Sequence, residues 1–294
     1  MSECTHDCNT CGGCGGGEGG VAPDFSAKLA PESSVKHVYA VMSGKGGVGK
    51  SLVTGLLASA FTKKGYRTAV LDADITGPSI PTAFGVEGDG LDVTQDGNLM
   101  VPAESMNGTQ IVSANLLLKN STDPIIWRGA MIAGAVKQFW SETYWNKVDY
   151  MFVDMPPGTG DVPLTVFQSL PVDGIIVVTS PQELVTMIVA KAVNMAKKMD
   201  IPIVGIVENM SYFECPDCHR KYPIFGESHI DETAKEYGLS VLAKLPIVPD
   251  TAVMVDAGKI EYVDTAPLDQ AVSSIIAIDA AMEKLGAKKA EKKA

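Results

Sequence analysis

Uninterrupted apolar runs recur along the chain, and most are followed by a stretch whose apolar positions return at helical spacing. The runs are "VKHVYAVMS" (35–43), "RTAVLDAD" (67–74), "VDYMFVDMP" (148–156), "DGIIVVTSP" (173–181), "IPIVGIVENMS" (201–211) and "LSVLAKLP" (239–246). Apolar on both alternating faces, they predict strands of a sheet covered on both sides. The intervening segments "VTGLLASAFTKKG" (53–65, stopped by Gly65), "RGAMIAGAVKQFWSET" (128–143), "ELVTMIVAKAVNMAKKM" (183–199) and "DETAKEYG" (231–238) predict helices. "ITGPSIP" (75–81) is turn-rich, and Asp96-Gly97 inside "LDVTQDGNLMVPA" (91–103) predicts a β-hairpin. The last segment, "PLDQAVSSIIAIDAAMEKLG", is an amphipathic helix whose Leu268, Ala271, Val272, Ile275, Ile278, Met282 and Leu285 are expected to pack on the sheet. Alternating strands and helices predict an α/β fold: a doubly wound, mostly parallel sheet flanked by helices.

The pattern fails at both ends. Residues 1–34 carry "CGGCGGGEGG" and "APDFSAKLAPESS", which suit a flexible Cys/Gly-rich arm and linker rather than a core. Residues 35–286 form the expected domain, and 287–294 a basic, solvated, disordered tail. At 294 residues, 46% hydrophobic and 20% charged, the chain has the make-up of a globular protein. Its net charge of -11 argues against nucleic-acid partners. No apolar run is long enough for a membrane span, and the first twenty residues lack the basic and apolar parts of a secretory leader. The expected location is the cytoplasm, where clustered cysteines bind metal more often than they pair.

Three features carry chemistry. "SGKGGVGKS" fits the phosphate-loop pattern through Gly44, Gly49, Lys50 and Ser51, placed between a strand and a helix. Backbone N–H groups of Gly44 to Ser51, including Gly46, Gly47 and Val48, suit phosphate oxygens; Lys50 suits the β- and γ-phosphates of ATP, and Ser51 suits Mg²⁺. Asp72 and Asp74 close one strand and Asp154 another, where open α/β sheets bind ligands. Single aspartates at strand ends are often mere helix caps, but three beside a phosphate loop suit Mg²⁺ and a positioned water. Asn209 closes a later strand and can meet an adenine edge, or simply form a turn; Pro246 can wall the base.

The six cysteines form two stations. Cys4, Cys8, Cys11 and Cys14 follow C-x3-C-x2-C-x2-C among glycines, fitting a 4Fe–4S cluster, a zinc site, or a reduced tail without metal. Cys215 and Cys218 are only two ligands, too few to close a tetrahedral site. A twofold homodimer brings the pair twice and completes four thiolates.

The extra lysine of "GKGGVGKS", Lys45, resembles the signature lysine of the deviant Walker A proteins that include MinD, ParA and the nitrogenase iron protein. There the lysine reaches the partner subunit's nucleotide; an ordinary loop lysine is the alternative. With "LDADITGPS", "PIIWRGAMI", "DMPPGTGD", "VENMSYFECPDC" and "IFGES" in that order, residues 36 to about 285 resemble the Mrp/ApbC family of P-loop ATPases. The resemblance implies a homodimeric ATPase with a MinD-like fold that carries 4Fe–4S clusters to apoproteins and works beside cluster-assembly scaffolds. It implies catalytic roles for Lys45, Lys50, Asp72 and Asp74, with Asp74 positioning water and Asp72 supporting Mg²⁺ and its loop. It implies a bridging cluster on Cys215 and Cys218, Mg²⁺ near Ser51, Asp72 and Asp154, and base contacts from Asn209. Trp127 and Arg128 belong to the family pattern without a role that the residues explain. A zinc-stapled, MinD-like targeting switch is the competing expectation; the final helix lacks the basic face that membrane targeting favours.

Overall fold

The computed structural model describes residues 26–75, 77, 79–86, 91–117, 129–158, 160–181 and 185–291. The sequence readings on Cys4, Cys8, Cys11, Cys14, Trp127 and Arg128 lie outside them. Strands β1 (Val35–Ser43), β2 (Thr68–Asp72), β5 (Val148–Asp154), β6 (Gly174–Thr179), β7 (Ile203–Glu214) and β9 (Val241–Pro246) are the predicted apolar runs. They join β3 (Ala103–Glu104), β4 (Gln110–Ser113) and β8 (Lys221–Tyr222) in the order β3-β4-β2-β5-β1-β6-β7-β8, with β9 also pairing β7. Pairing is parallel throughout the centre and antiparallel only for β3 on β4 and β8 on β7. This is the predicted doubly wound, mostly parallel α/β fold.

Strand alternation divides the core between two faces. Val38, Ala40 and Met42 of β1 belong to a cluster that includes α3 (Gly129–Ser141), α4 (Asp161–Ser169), α5 (Val185–Met199) and α6 (Ile230–Tyr237). Tyr39 and Val41 belong to the opposite cluster, with α1 (Lys50–Lys63), α2 (Ile80–Phe84) and α8 (Asp269–Glu291). The last named helix, α7 (Pro249–Asp256), lies at the surface with no buried residue.

Several expectations change. The short elements α2, β4, α4 and α7 were not legible as separate elements, because each is brief or contains proline: Pro81, Pro163 and Pro249. The Asp96-Gly97 hairpin exists only as a single antiparallel bridge, Val93 to Met100, around Gly97 in the left-handed region at φ 73°. Leu268, just before α8, and Ala271, Val272 and Ile275 on it are buried, but Ile278 and Met282 are exposed. Asp279, one turn beyond Ile275, takes the inward position and accepts the Tyr39 hydroxyl at 2.5 Å. The same helix runs to Glu291, past the expected tail boundary at 286; its Ala, Lys and Glu residues are strong helix formers. The end of the expected linker is also tied to the body: Trp140 Nε1 donates to Ala27 O, and Ser34 N donates to Trp145 O. Among the described residues, no helix is long and apolar enough to cross a membrane.

Candidate functional site

The C-terminal ends of β1, β2 and β5 lie side by side, so their final residues meet. Asp72 and Asp154 are register partners on adjacent parallel strands. Lys50, the first residue of α1, is buried beside them and places Nζ 2.8 Å from Asp154 Oδ1 and 3.6 Å from Asp74 Oδ2. Ser51 Oγ donates to Asp154 Oδ2 at 2.6 Å, and Thr54 Oγ1 donates to its other oxygen at 2.8 Å. Thr54 was missed in the sequence, although it lies one helical turn beyond Lys50 and therefore on the same face.

Asp72 has different surroundings from Asp74. Fully buried, its carboxylate accepts the Ser113 hydroxyl at 3.0 Å and the Asp74 backbone N–H at 3.1 Å. Burial, then the neighbouring Asp154 carboxylate, push its pKa up to about 8. In this arrangement Asp72 holds the start of the following loop, and Asp74 is the acid turned toward Lys50.

The loop from Gly44 to Gly49 depends on the absence of side chains at two close approaches. A Cβ on Gly44 would lie 2.4 Å from Ile188 on α5, and one on Gly49 would lie 2.2 Å from Asn209 Nδ2. Gly49 is also left-handed, with φ 77°. Asn209 Nδ2 donates to Val48 O at 3.0 Å, so this asparagine pins the loop. Gly46 and Gly47 face open space. A cavity of about 310 Å³ is lined by Gly46, Gly47, Gly49, Lys50, Ser51 and Asp74. Leu52 and Val255 connect its lining to that of a second, mainly apolar cavity of about 640 Å³. The larger cavity brings together Asn209, Met210, Phe225, Pro246 and Val248. One cleft therefore has a polar end bearing the loop and an apolar end bearing Asn209 and Pro246. That division suits a nucleotide: phosphates on backbone amides and Lys50, base against the apolar wall. Ser51 and Asp154 supply the hard oxygen donors that Mg²⁺ takes.

Lys45 is partly exposed beside this cleft, and its carbonyl accepts the Ser43 hydroxyl at 2.9 Å. Ion pairs among the described residues do not include it.

Cys215 and Cys218 lie away from the polar end, at the turn of the hairpin formed by β7 and β8. Phe213 pairs with Tyr222 and Glu214 with Lys221, and Cys215 N donates to Arg220 O at 3.0 Å. Both thiols are free; Cys218 is exposed and Cys215 partly so. Backbone N–H groups of Cys218 and Asp217, and then the Cys218 side chain, hold the Cys215 thiol below its usual range. Lys221 caps the Tyr212 ring at 4.2 Å, stiffening the hairpin. Among the described residues no three metal-ligating side chains gather, so the pair stands as two ligands.

The root of the hairpin contains a buried acid that sequence reading overlooked. Glu208, fully buried and adjacent to Asn209, accepts Ser211 Oγ at 2.5 Å and Ser228 Oγ at 2.8 Å. An acid inside an otherwise apolar strand run was the signal available.

Known proteins agree with this architecture. The family model for NUBPL iron-transfer P-loop NTPases (ParA) matches residues 34–281. An iron-sulfur cluster carrier protein of Clostridium perfringens is 43% identical over 258 residues, covering 85% of this chain and 90% of its own length. One from Methanocaldococcus jannaschii is 41% identical over 256 residues, covering 84% and 86%. Among solved structures, a nucleotide-binding protein from Archaeoglobus fulgidus in complex with ADP is 39% identical and superposes with a TM-score of 0.71, covering 78% of this chain and 89% of that one. The cell division ATPase MinD of Pyrococcus furiosus, 18% identical with a TM-score of 0.58 over 82% of this chain and 99% of its own, shares the fold. With its phosphate loop and sheet matched nearly end to end, the chain belongs to the NUBPL iron-transfer family of P-loop NTPases.

Proposed function

We propose that this protein is an ATP-dependent carrier and scaffold for 4Fe–4S clusters, working as a cytoplasmic homodimer that hydrolyses ATP slowly and passes clusters to apoproteins. The observation that carries the reading is the reach of one strand: β7 supplies Asn209 to the nucleotide cleft and ends just before Cys215. The names of the carrier relatives support the cargo, and the ADP complex of the Archaeoglobus neighbour supports the nucleotide.

In this reading the chain's own groups divide the work. The loop amides and Lys50 bind and orient the phosphates, Asp74 positions the attacking water, and Asp72 fixes the loop that carries Asp74. Ser51 and Asp154 would hold Mg²⁺, which supplies charge neutralisation on phosphate oxygens when bound. Lys45, without an acidic partner among the described ion pairs, suits delivery to a second subunit's nucleotide. Cys215 and Cys218 contribute half of the cluster's ligands and a second copy contributes the rest. Cys4, Cys8, Cys11 and Cys14 form a second metal station on the arm.

Iron, acid-labile sulfide and zinc per protomer, measured on anaerobically purified protein beside Cys215→Ser/Cys218→Ser, test the cargo. About four irons and four sulfides per dimer that disappear in the variant are expected for one bridging 4Fe–4S cluster. A remainder of about four per protomer assigns a further cluster to the arm. Zinc without sulfide overturns the carrier reading and leaves a zinc-stapled ATPase.

A further inference from the structure

The cysteine hairpin returns to the body through a segment that touches the nucleotide cleft. After β8, the chain turns at Pro223–Gly226, where Gly226 N donates to Pro223 O at 3.1 Å, and enters α6 through Ser228. Phe225, at this turn, is 48% exposed and lines the apolar cavity with Asn209, Pro246 and Val248. Three residues later Ser228 is anchored on Glu208, whose other oxygen holds Ser211 on the outgoing strand. Between these bonds β7 breaks its regular pairing: Met210 is left-handed at φ 56°, and the register with β9 shifts between Glu208 and Tyr212. The root is therefore a bend clamped by one buried carboxylate, while the hairpin beyond it is exposed.

We propose that Phe225 is a positioning residue that transmits occupancy of the base end of the cleft to Cys215 and Cys218. The inference rests on the cleft binding a nucleotide, as proposed above. A planar base entering the cavity meets the Phe225 ring, which loses exposed apolar area by packing on it. Its movement is carried along the return segment, because Glu208 holds both limbs of the root and prevents the hairpin from absorbing the shift there. The left-handed bend at Met210 gives the hairpin a defined pivot. Without the ring, the base still finds Pro246, Val248 and Asn209, but the cysteine turn no longer follows it.

The test uses the full-length protein under reducing, cluster-free conditions. Alkylation rates of Cys215 and Cys218 are followed by peptide mass spectrometry, without nucleotide and with saturating Mg·ATP. Binding of a fluorescent ATP analogue is measured in parallel. In the native protein Mg·ATP is expected to change the alkylation rate of Cys218 by about fivefold or more, the usual scale of coupling between two sites. Phe225→Ala should remove most of that change while still reaching nucleotide saturation; Phe225→Tyr, which keeps the ring, should restore it. Ser228→Ala, at a partly buried position outside the main core, should reduce the response by releasing one limb of the clamp. A full response in Phe225→Ala, or in Ser228→Ala, overturns the proposed link while leaving nucleotide binding intact. Failure of the native protein to bind the analogue overturns the cleft assignment itself. Binding without any alkylation response overturns the coupling but not the cleft.

Discussion

The nucleotide cleft and the cysteine hairpin are opposites in construction. At the cleft, Lys50, Asp72 and Asp154 are buried, and Ser51, Thr54 and Ser113 donate to the two carboxylates. At the hairpin, two thiols sit on an exposed turn. The first site is preorganised by the sheet, so its geometry belongs to one chain. The second offers only two thiols, too few to close a metal site within the described residues of one chain. The carrier function proposed above needs this inequality: a cargo site as rigid and enclosed as the cleft would hold its cluster too well to pass it on.

The largest expected effect comes from removing the cation on which the cleft is built. Lys50→Met should lower ATP hydrolysis by about 10² to 10³-fold, the range found when one preorganised charge stabiliser is lost. It also leaves Asp154 buried without its cation, and breaking a buried ion pair costs about 3–5 kcal/mol. A steady-state ATPase assay and a urea titration of the nucleotide-free protein check the two parts. Loss of activity with unchanged stability would mean that the cleft is not held by its own charges, and the contrast with the hairpin would weaken. Gly49→Ala comes next. A left-handed alanine costs about 1–3 kcal/mol, and its Cβ displaces the Asn209 amide from Val48 O. Nucleotide affinity, measured by calorimetry, should fall with stability.

How much of this was legible differs between the two regions for a physical reason. Glycine spacing, the lysine and the strand-end acids reveal the cleft because phosphate chemistry demands those residue types at short separations in sequence. The cysteine pair was equally plain. Hidden from the sequence were the contacts that tertiary pairing creates: Ser113 reaches Asp72 from β4, and Ser228 reaches Glu208 from beyond the hairpin. The helical repeat of α8 misled at Ile278 and Met282, since the inward place between them goes to Asp279, whose partner Tyr39 is distant in sequence. Periodicity locates a face but cannot register a buried hydrogen bond on it.

A smaller effect sharpens the hairpin side. The hydrogen bonds from the Cys218 and Asp217 backbone N–H groups stabilise the Cys215 thiolate, so its pKa lies below that of an ordinary thiol. The thiolate consequently persists as pH falls through the range where a free thiol protonates. Alkylation of Cys215 near neutral pH should run about two to five times faster than that of a free model thiol, with its midpoint displaced toward acid. A pH–rate profile by peptide mapping checks it, and a midpoint at or above the ordinary thiol value would remove the turn's claim to prepare its ligand.

The smallest expected effect tests the comparison most directly. Cys215→Ser/Cys218→Ser changes two side chains on an exposed turn that contributes nothing to either core cluster. Substitutions of this kind normally stay within about 0.5 kcal/mol. Denaturant midpoint and nucleotide affinity should therefore match the native protein when both are metal-free, although the variant lacks the two thiols proposed to hold the cluster. The turn itself survives, because Cys215 N to Arg220 O and His219 N to Cys215 O are backbone bonds that serine preserves. Were the metal-free variant clearly less stable, the thiols would be contributing to the fold of the single chain. The hairpin would then be a structural element like the cleft, and the proposed handing on of a cluster would need a different basis than the exposure of the turn.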